Sequence, residues 1–244
     1  MKTEFNKDQF SNAYADGMED SYWNLARKRI IFKFIKKYKL SNILDVGCGR
    51  GIVTSYLYHA GVQITGVDLG DSSRVDKTNL TIYYNTDATK LPEQLRAGVD
   101  TISLFDVIEH ISGPVGFIKN LTQNFPNLKN LIITVPARKE LWSNFDDYYG
   151  HFRRYDLQML KKEIEDSGFT LIFSRYFFHI LYFLIRINNL LIKNRDINFN
   201  PPKSKLSLVI NKIMAGIFYI ETLITPGKLV GSSIICICSK NNKH

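Results

Sequence analysis

The stretch ILDVGCGRGIVTSYL, residues 43–57, limits the fold more than any other part of the chain. An apolar run of strand length ends near Asp45, glycines follow at 47, 49 and 51, and a helical pattern begins. Glycine adopts positive φ without steric cost and lets a ligand approach the backbone, while the first turn of a helix offers unpaired N–H groups. The next apolar run, QITGVD, ends on Asp68, about 20 residues after the glycines, where an acid can take two ribose hydroxyls. A strand, a glycine turn, a helix and a second strand ending on an acid predict a parallel βαβ unit with its ligand beyond the strand ends.

The remainder of the chain continues that pattern. Strands are read at 42–47, 63–68, 80–85, 99–105, 128–136, 170–178 and 233–239, with helices at 51–60, 114–124 and 156–167. Strands apolar on both faces and separated by helices imply an α/β fold, a doubly wound parallel sheet covered on both sides. Before residue 40, DSYWNLARKRIIFKFIKKY has apolar positions at helical spacing. Between 178 and 232 lies an excursion of two apolar helices broken by Pro201–Pro202, and the last strand then returns. One domain over 1–244, with a helical N-terminal cap (1–40) and a helical insertion (178–232), accounts for all of it.

Composition narrows the partners. The formal charge is +9, but no block of five or six like charges occurs, so the basicity reads as a dispersed surface property and nucleic acid is disfavoured. Cys48, Cys236 and Cys238 have no metal-site spacing and suit a reducing cytoplasm, and MKTEFNKDQF has no apolar signal core, so the expected location is cytoplasmic. The apolar stretches 176–192 and 206–224 are interrupted, the first by His179, Arg186, Asn188 and Asn189, the second by Asn211, Lys212 and Glu221. Spanning helices need about 20 nearly uninterrupted apolar residues. No transmembrane segment is therefore expected. Amphipathic helices that pack on the domain, or make peripheral contact with a membrane, fit better.

The glycine spacing is G-x-G-x-G, not the G-x-G-x-x-G of dinucleotide sites, and Asp45 precedes the first glycine by two residues. An acid there repels a pyrophosphate and attracts a cationic group such as a sulfonium amino acid. From about residue 40 to 170 the chain resembles the class I S-adenosylmethionine (SAM)-dependent methyltransferases. DVGCGRG looks like their first motif, with Asp45 near the amino-acid part of the cofactor and Gly47, Gly49 and Gly51 beneath it. Asp68, with Leu69 beside it, looks like their ribose-binding acid. TDATKLP (86–92) is similar to their acidic loop, which would put Asp87 and Ala88 at the adenine edge, and FDVIEHI (105–111) matches the stretch after their fourth strand, which would set Asp106 beside the cofactor. The resemblance implies a Rossmann-like seven-stranded sheet whose last strand is antiparallel. It also implies a helix over the cofactor carrying Tyr14, Tyr22, Trp23 and Arg27, with Arg27 either paired to the cofactor carboxylate or solvated.

Methyl transfer from a sulfonium is an in-line displacement, so acceptor chemistry turns on positioning and, for a hydroxyl, on a general base. His110 in DVIEHI and His151 in FDDYYGHFRRYD follow successive central strands, with Glu109 and Asp106 near the first and Asp146 and Asp147 placed to orient a histidine. A Glu-His pair at this place also serves, in many such enzymes, as a helix cap beside the cofactor. Asp106, Glu109, His110 and His151 resemble the E-x-x-E-H sites of ubiquinone and small-RNA methyltransferases, where a divalent ion assists a hydroxyl; here the first acid is Asp. Arg153 and Arg154 either bind an acidic acceptor group or are solvated, and Asp156 is a candidate helix cap. The segment VPARKELWSNFDDYYGHFRRYDLQMLKKEIEDSGF resembles a bacterial subgroup encoded among surface-polysaccharide genes. The expected acceptor is therefore a hydroxyl of a sugar or of a phosphorylated or nucleotide-linked precursor. An RNA 2′-O-methyltransferase, a non-catalytic SAM-binding protein and a nicotinamide dehydrogenase remain as alternatives.

Overall fold

The computed structural model describes residues 16–71, 74–75, 79–192 and 201–241; Tyr14 lies outside them. Seven strands form one sheet: β1 (Ile43–Val46), β2 (Ile64–Val67), β3 (Ile82–Tyr83), β4 (Thr101–Phe105), β5 (Asn130–Pro136), β6 (Phe169–Phe177) and β7 (Ser233–Lys240). Their order is β3-β2-β1-β4-β5-β7-β6. Strands β1 to β5 run parallel, and β7 lies antiparallel between β5 and β6, as the resemblance implied. The chain reverses beside β1, where β2 and β4 lie on opposite sides, and open α/β sheets bind ligands at such a crevice.

Eight helices flank the sheet among the described residues: α1 (Tyr22–Tyr38), α2 (Ile52–His59), α3 (Glu93–Gly98), α4 (Pro114–Asn124), α5 (Asn144–Tyr148), α6 (Leu157–Asp166), α7 (His179–Leu191) and α8 (Lys205–Ile224). Alternate residues of a strand face opposite sides, which divides the core in two. Leu131, Ile133, Cys236 and Cys238 pack with Ile118 of α4 and Leu160 of α6. Ile132, Ile235 and Ile237 pack with Ile30 of α1, Leu57 of α2 and Phe218 of α8. The paired cysteines are buried in β7 as free thiols, with their sulfurs 3.7 Å apart.

The loop after β5 contains one short helix: the Ser143 N–H donates to Asp146 Oδ2 at 2.9 Å, a capping contact that starts the five-residue α5. One expectation needs correction. Of the three polar residues read as interrupting 206–224, two turn inward and Lys212 stays exposed. Asn211 turns inward, its Oδ1 accepting from the Tyr22 backbone N–H at 2.8 Å. Glu221 is buried, and its two oxygens accept the backbone N–H groups of His179 and Ile180 at 2.8 Å each. Helix α8 is thus long and apolar enough to cross a bilayer, with a mean hydropathy of 1.5, yet Ala215, Phe218 and Thr222 are buried on its inner side.

Glu221 ties the start of α7 to α8. Replacing it with alanine leaves two helix-terminal N–H groups without their acceptor and should cost about 2 kcal/mol, a Tm drop of roughly 4–8 °C by calorimetry. An unchanged Tm would show that the tie contributes nothing to stability.

Candidate active site

The site assembles at the C-terminal ends of β1, β2, β4 and β5. Gly47, Gly49 and Gly51 all take positive φ, at 74°, 55° and 78°. The turn is also tightly packed: a Cβ on Gly51 would lie 2.6 Å from Ile82 Cδ1, and one on Gly47 would lie 2.8 Å from Val107 Cγ2. The glycines therefore serve backbone shape and close packing together.

Asp45 is buried, with one oxygen accepting from Thr54 Oγ1 at 2.6 Å and the other from Ser103 Oγ at 2.8 Å. Burial pushes its carboxyl up to about 6 despite those two hydroxyls. Asp68 ends β2 and accepts from the Gly49 and Gly70 backbone N–H groups at 2.7 Å each. Burial also raises its pKa, against those two bonds. A carboxylate has about four lone-pair positions, so Asp68 retains acceptor capacity. Leu69 beside it is half-buried. Asp87 caps a short 3-10 helix by accepting from the Thr89 backbone and hydroxyl, both at 2.9 Å, and Ala88 is buried. The Thr86 N–H donates to the Asp68 carbonyl, which brings this acidic loop to the end of β2.

Arg27 of α1 is neither solvated nor left to a ligand alone. Its Nη2 pairs with Asp106 Oδ2 at 2.7 Å and donates to Thr134 Oγ1 at 3.2 Å, while Thr134 donates to Asp106 Oδ1 at 3.1 Å. The guanidinium also lies 4.8 Å from the Trp23 ring centroid. Asp106 is therefore an ion-pair partner and stands outside the cluster of its expected metal companions.

Those companions do meet. One ligand atom each from Glu109, His110 and His151 lie within 4.8 Å of one another. The two imidazoles contact edge to face with centroids 4.6 Å apart. Glu109 is 1% exposed and neither carboxyl oxygen has a hydrogen-bond partner. Burial drives its pKa well above the usual range, and nearby Asp106 adds to the rise. Burial lowers His110 to about 3, helped by the adjacent His151. His110 is thus a neutral imidazole at neutral pH.

His151 is aimed by the loop around it. Its Nδ1 lies 2.8 Å from Asp146 Oδ1, and Asp146 is fully buried. Arg154 Nε donates to the same oxygen at 2.7 Å, and the Ser143 N–H donates to the other at 2.9 Å. Burial alone would raise Asp146, but the bonds and charges of His151 and Arg154 hold it below the usual carboxylate range. An acceptor at Nδ1 fixes the proton there and leaves Nε2 with the lone pair. The loop is stitched to the β4 turn by the Phe152 N–H donating to the Glu109 carbonyl at 2.8 Å, and anchored by the fully buried Tyr155.

Both arginines of the loop are engaged within the protein. Arg153 pairs with Glu163 and donates to the Ser112 carbonyl, whereas Arg154 holds Asp146. Asp147 accepts from Trp142 Nε1 at 2.9 Å and does not meet a histidine in that contact. Asp156 caps α6, as expected from its position. Sequence reading missed Thr54, Ser103 and Thr134; the available signal was a hydroxyl inside a helix or strand otherwise built to be buried.

Residues 21–173 match the model of a family described as "Methyltransferase domain", and the chain belongs to that family. Among curated relatives, a ubiquinone biosynthesis O-methyltransferase from Coxiella burnetii is 27% identical over 135 residues, 48% of this chain and 58% of that protein. One of the same description from Nitrosospira multiformis is 28% identical over 85 residues, 32% of this chain and 36% of its own length. The chain therefore spans only about a third to a little over half of these relatives. A SAM-dependent methyltransferase structure from Archaeoglobus fulgidus has a TM-score of 0.51 at 16% identity, covering 87% of this chain and 94% of that one. Magnesium protoporphyrin IX methyltransferase from Synechocystis PCC 6803, solved with bound SAM, has a TM-score of 0.51 at 14% identity, covering 96% and 90%. At these identities the structures establish a common fold.

Proposed function

We propose that this chain is a SAM-dependent methyltransferase acting on a hydroxyl oxygen of a small polar acceptor. The observation that carries the reading is the buried Asp146–His151 pair, which follows β5 at the same C-terminal end of the sheet as the glycine turn and Asp68. When bound, SAM supplies an electrophilic methyl group on a cationic sulfur. Gly47, Gly49, Gly51 and Asp45 would hold its amino-acid part, Asp68 and Leu69 its ribose, and Asp87 and Ala88 its adenine. Arg27 pairs with Asp106 at 2.7 Å beside this region, and its charge also favours the ionised forms of Asp45 and Glu109. His151 would accept the acceptor hydroxyl's proton at Nε2, leaving an oxygen nucleophile for the methyl group that SAM would supply, with S-adenosylhomocysteine as the leaving group. Asp146 keeps the imidazole in that tautomer and stabilises the imidazolium. The relatives' description as O-methyltransferases supports oxygen as the acceptor atom. The sugar or nucleotide-linked acceptor of surface-polysaccharide assembly rests on sequence resemblance alone.

A second reading adds a divalent cation. Glu109 keeps a buried carboxyl with no protein partner, and an unsatisfied buried polar group calls for an explanation such as an ion. With neutral His110 and with His151 backed by Asp146, it makes a carboxylate–imidazole set suited to Mn²⁺ or Fe²⁺, with the orienting acid common behind metal-bound histidines. Such an ion would lower the pKa of the acceptor hydroxyl.

Titration calorimetry with SAM and NAD, followed by S-adenosylhomocysteine release across an acceptor panel, tests the main reading. Binding of NAD but not SAM would overturn it. The release assay repeated with chelator tests the metal. An unchanged rate leaves Nε2 of His151 as the base, whereas lost activity restored by Mn²⁺ would commit that lone pair to the cation and replace the base by a metal-activated hydroxyl.

A further inference from the structure

The insertion carries two apolar faces turned away from the protein. On α7, Ile180, Phe183, Ile187 and Leu190 recur at three- and four-residue steps and are exposed, Leu190 at 71%. On α8, Leu206, Ile210, Ile213, Ile217, Ile220 and Ile224 repeat that spacing and are exposed, Ile224 at 77%. Both helices already have an inner face packed on the domain through Leu181, Ala215 and Phe218, so these stripes are surplus to the core. Single exposed apolar residues need no explanation, but contiguous stripes on two helices mark an interaction surface.

Charge decides what covers them. Arg186, Lys203, Lys205, Lys212 and Lys228 are exposed on and around the two helices. Among the described residues from 179 to 229 the one acid is Glu221, and it is buried in the tie to α7. A second copy of the chain docking through the same patch would bring these cations against their own counterparts, because a two-fold interface is self-complementary. An apolar stripe rimmed by cations, with no exposed acid among those described, matches a lipid surface bearing anionic headgroups.

We infer that α7 and α8 together form a docking face for an anionic membrane surface, lying in its plane without crossing it. The inner-face contacts argue against crossing, since Asn211 and Glu221 hold α8 to α1 and α7. Helix α7 also rests on the turn that leads into the His151 loop. Tyr182 Oη donates to Glu140 Oε1 at 3.0 Å, Arg186 Nη1 to the Glu140 carbonyl at 3.0 Å, and Asn189 Nδ2 to the Leu141 carbonyl at 3.2 Å. Docking therefore puts the candidate active site beside the membrane, although the docking itself does not depend on the methyltransferase reading.

Co-sedimentation of the full chain with phosphatidylcholine vesicles, with and without phosphatidylglycerol, tests this. Binding to the phosphatidylglycerol vesicles that weakens in high salt is expected. The double substitution Ile187→Ser with Ile213→Ser should abolish it while leaving circular dichroism unchanged, because both side chains face outward. Lys205→Gln with Lys212→Gln should weaken it about 25-fold, about fivefold per charge. Sedimentation equilibrium on the same proteins separates the rival occupant. No binding to anionic vesicles, or a dimer that the Ile187→Ser/Ile213→Ser protein fails to form, would overturn the proposal.

Discussion

His151→Ala is expected to lower the rate of methyl transfer by about 10²–10⁴-fold, the span associated with losing a positioned general base. SAM affinity by calorimetry should not change, because His151 belongs to the loop after β5 and not to the glycine turn. The reasoning rests on how the loop invests its polar groups. Asp146 is fully buried and receives His151, Arg154 and the Ser143 N–H, so its charge and position are fixed before any acceptor arrives. A preorganised carboxylate of this kind selects one tautomer and steadies the cation formed on proton transfer. Asp146→Asn tests that link separately. Its amide can present an N–H to Nδ1 and favour the unproductive tautomer, so kcat should fall strongly while KM for the acceptor changes little. A His151→Ala enzyme with undiminished kcat would remove the base from the mechanism. A rise in KM alone would make His151 an acceptor contact.

How much of this was legible in the sequence depends on range. The glycine turn and Asp68 were readable because their geometry is set within one βαβ unit, where spacing encodes position. The strands could be placed because they are apolar on both faces, and every boundary falls within two residues of the structure. The Arg27–Asp106 pair was not readable, since α1 and the end of β4 are joined only by tertiary packing; the D-x-x-E-H string sets Asp106 beside Glu109 and His110 in sequence, while in space it pairs with Arg27. Helix α5 was hidden because five residues cannot show periodicity; only the Ser143 N–H held by Asp146 marks its start. In α7 and α8 the apolar periodicity was visible, but periodicity does not say which side faces the core. The inward turn of Asn211 and Glu221 settles that, and so leaves the stripes outside.

Asp45→Asn should stabilise the protein at neutral pH while weakening its hold on SAM. The native carboxyl has a pKa of about 6 in the fold, against 3.8 as its ordinary value, because burial disfavours the charged form. An acid whose folded pKa is raised destabilises the fold whenever it is ionised, by up to about 3 kcal/mol for a shift of this size. Below the ordinary value both folded and unfolded chains are protonated and the penalty vanishes. It grows as pH rises through the interval between the two values and is complete above about 6. Asparagine keeps the local bonds, since its oxygen can accept from Thr54 and its amide can donate to Ser103, and it carries no charge to bury. The Tm difference between variant and native protein should therefore open with pH from near zero in strong acid to its full value at neutrality. The same substitution removes the negative charge offered to a cationic amino-acid group, so SAM affinity should drop even as Tm rises, the usual opposition between stability and a strained functional residue. A variant less stable than native at pH 7, or a Tm gap that ignores pH, would show that the two hydroxyls fully offset the burial of the Asp45 charge.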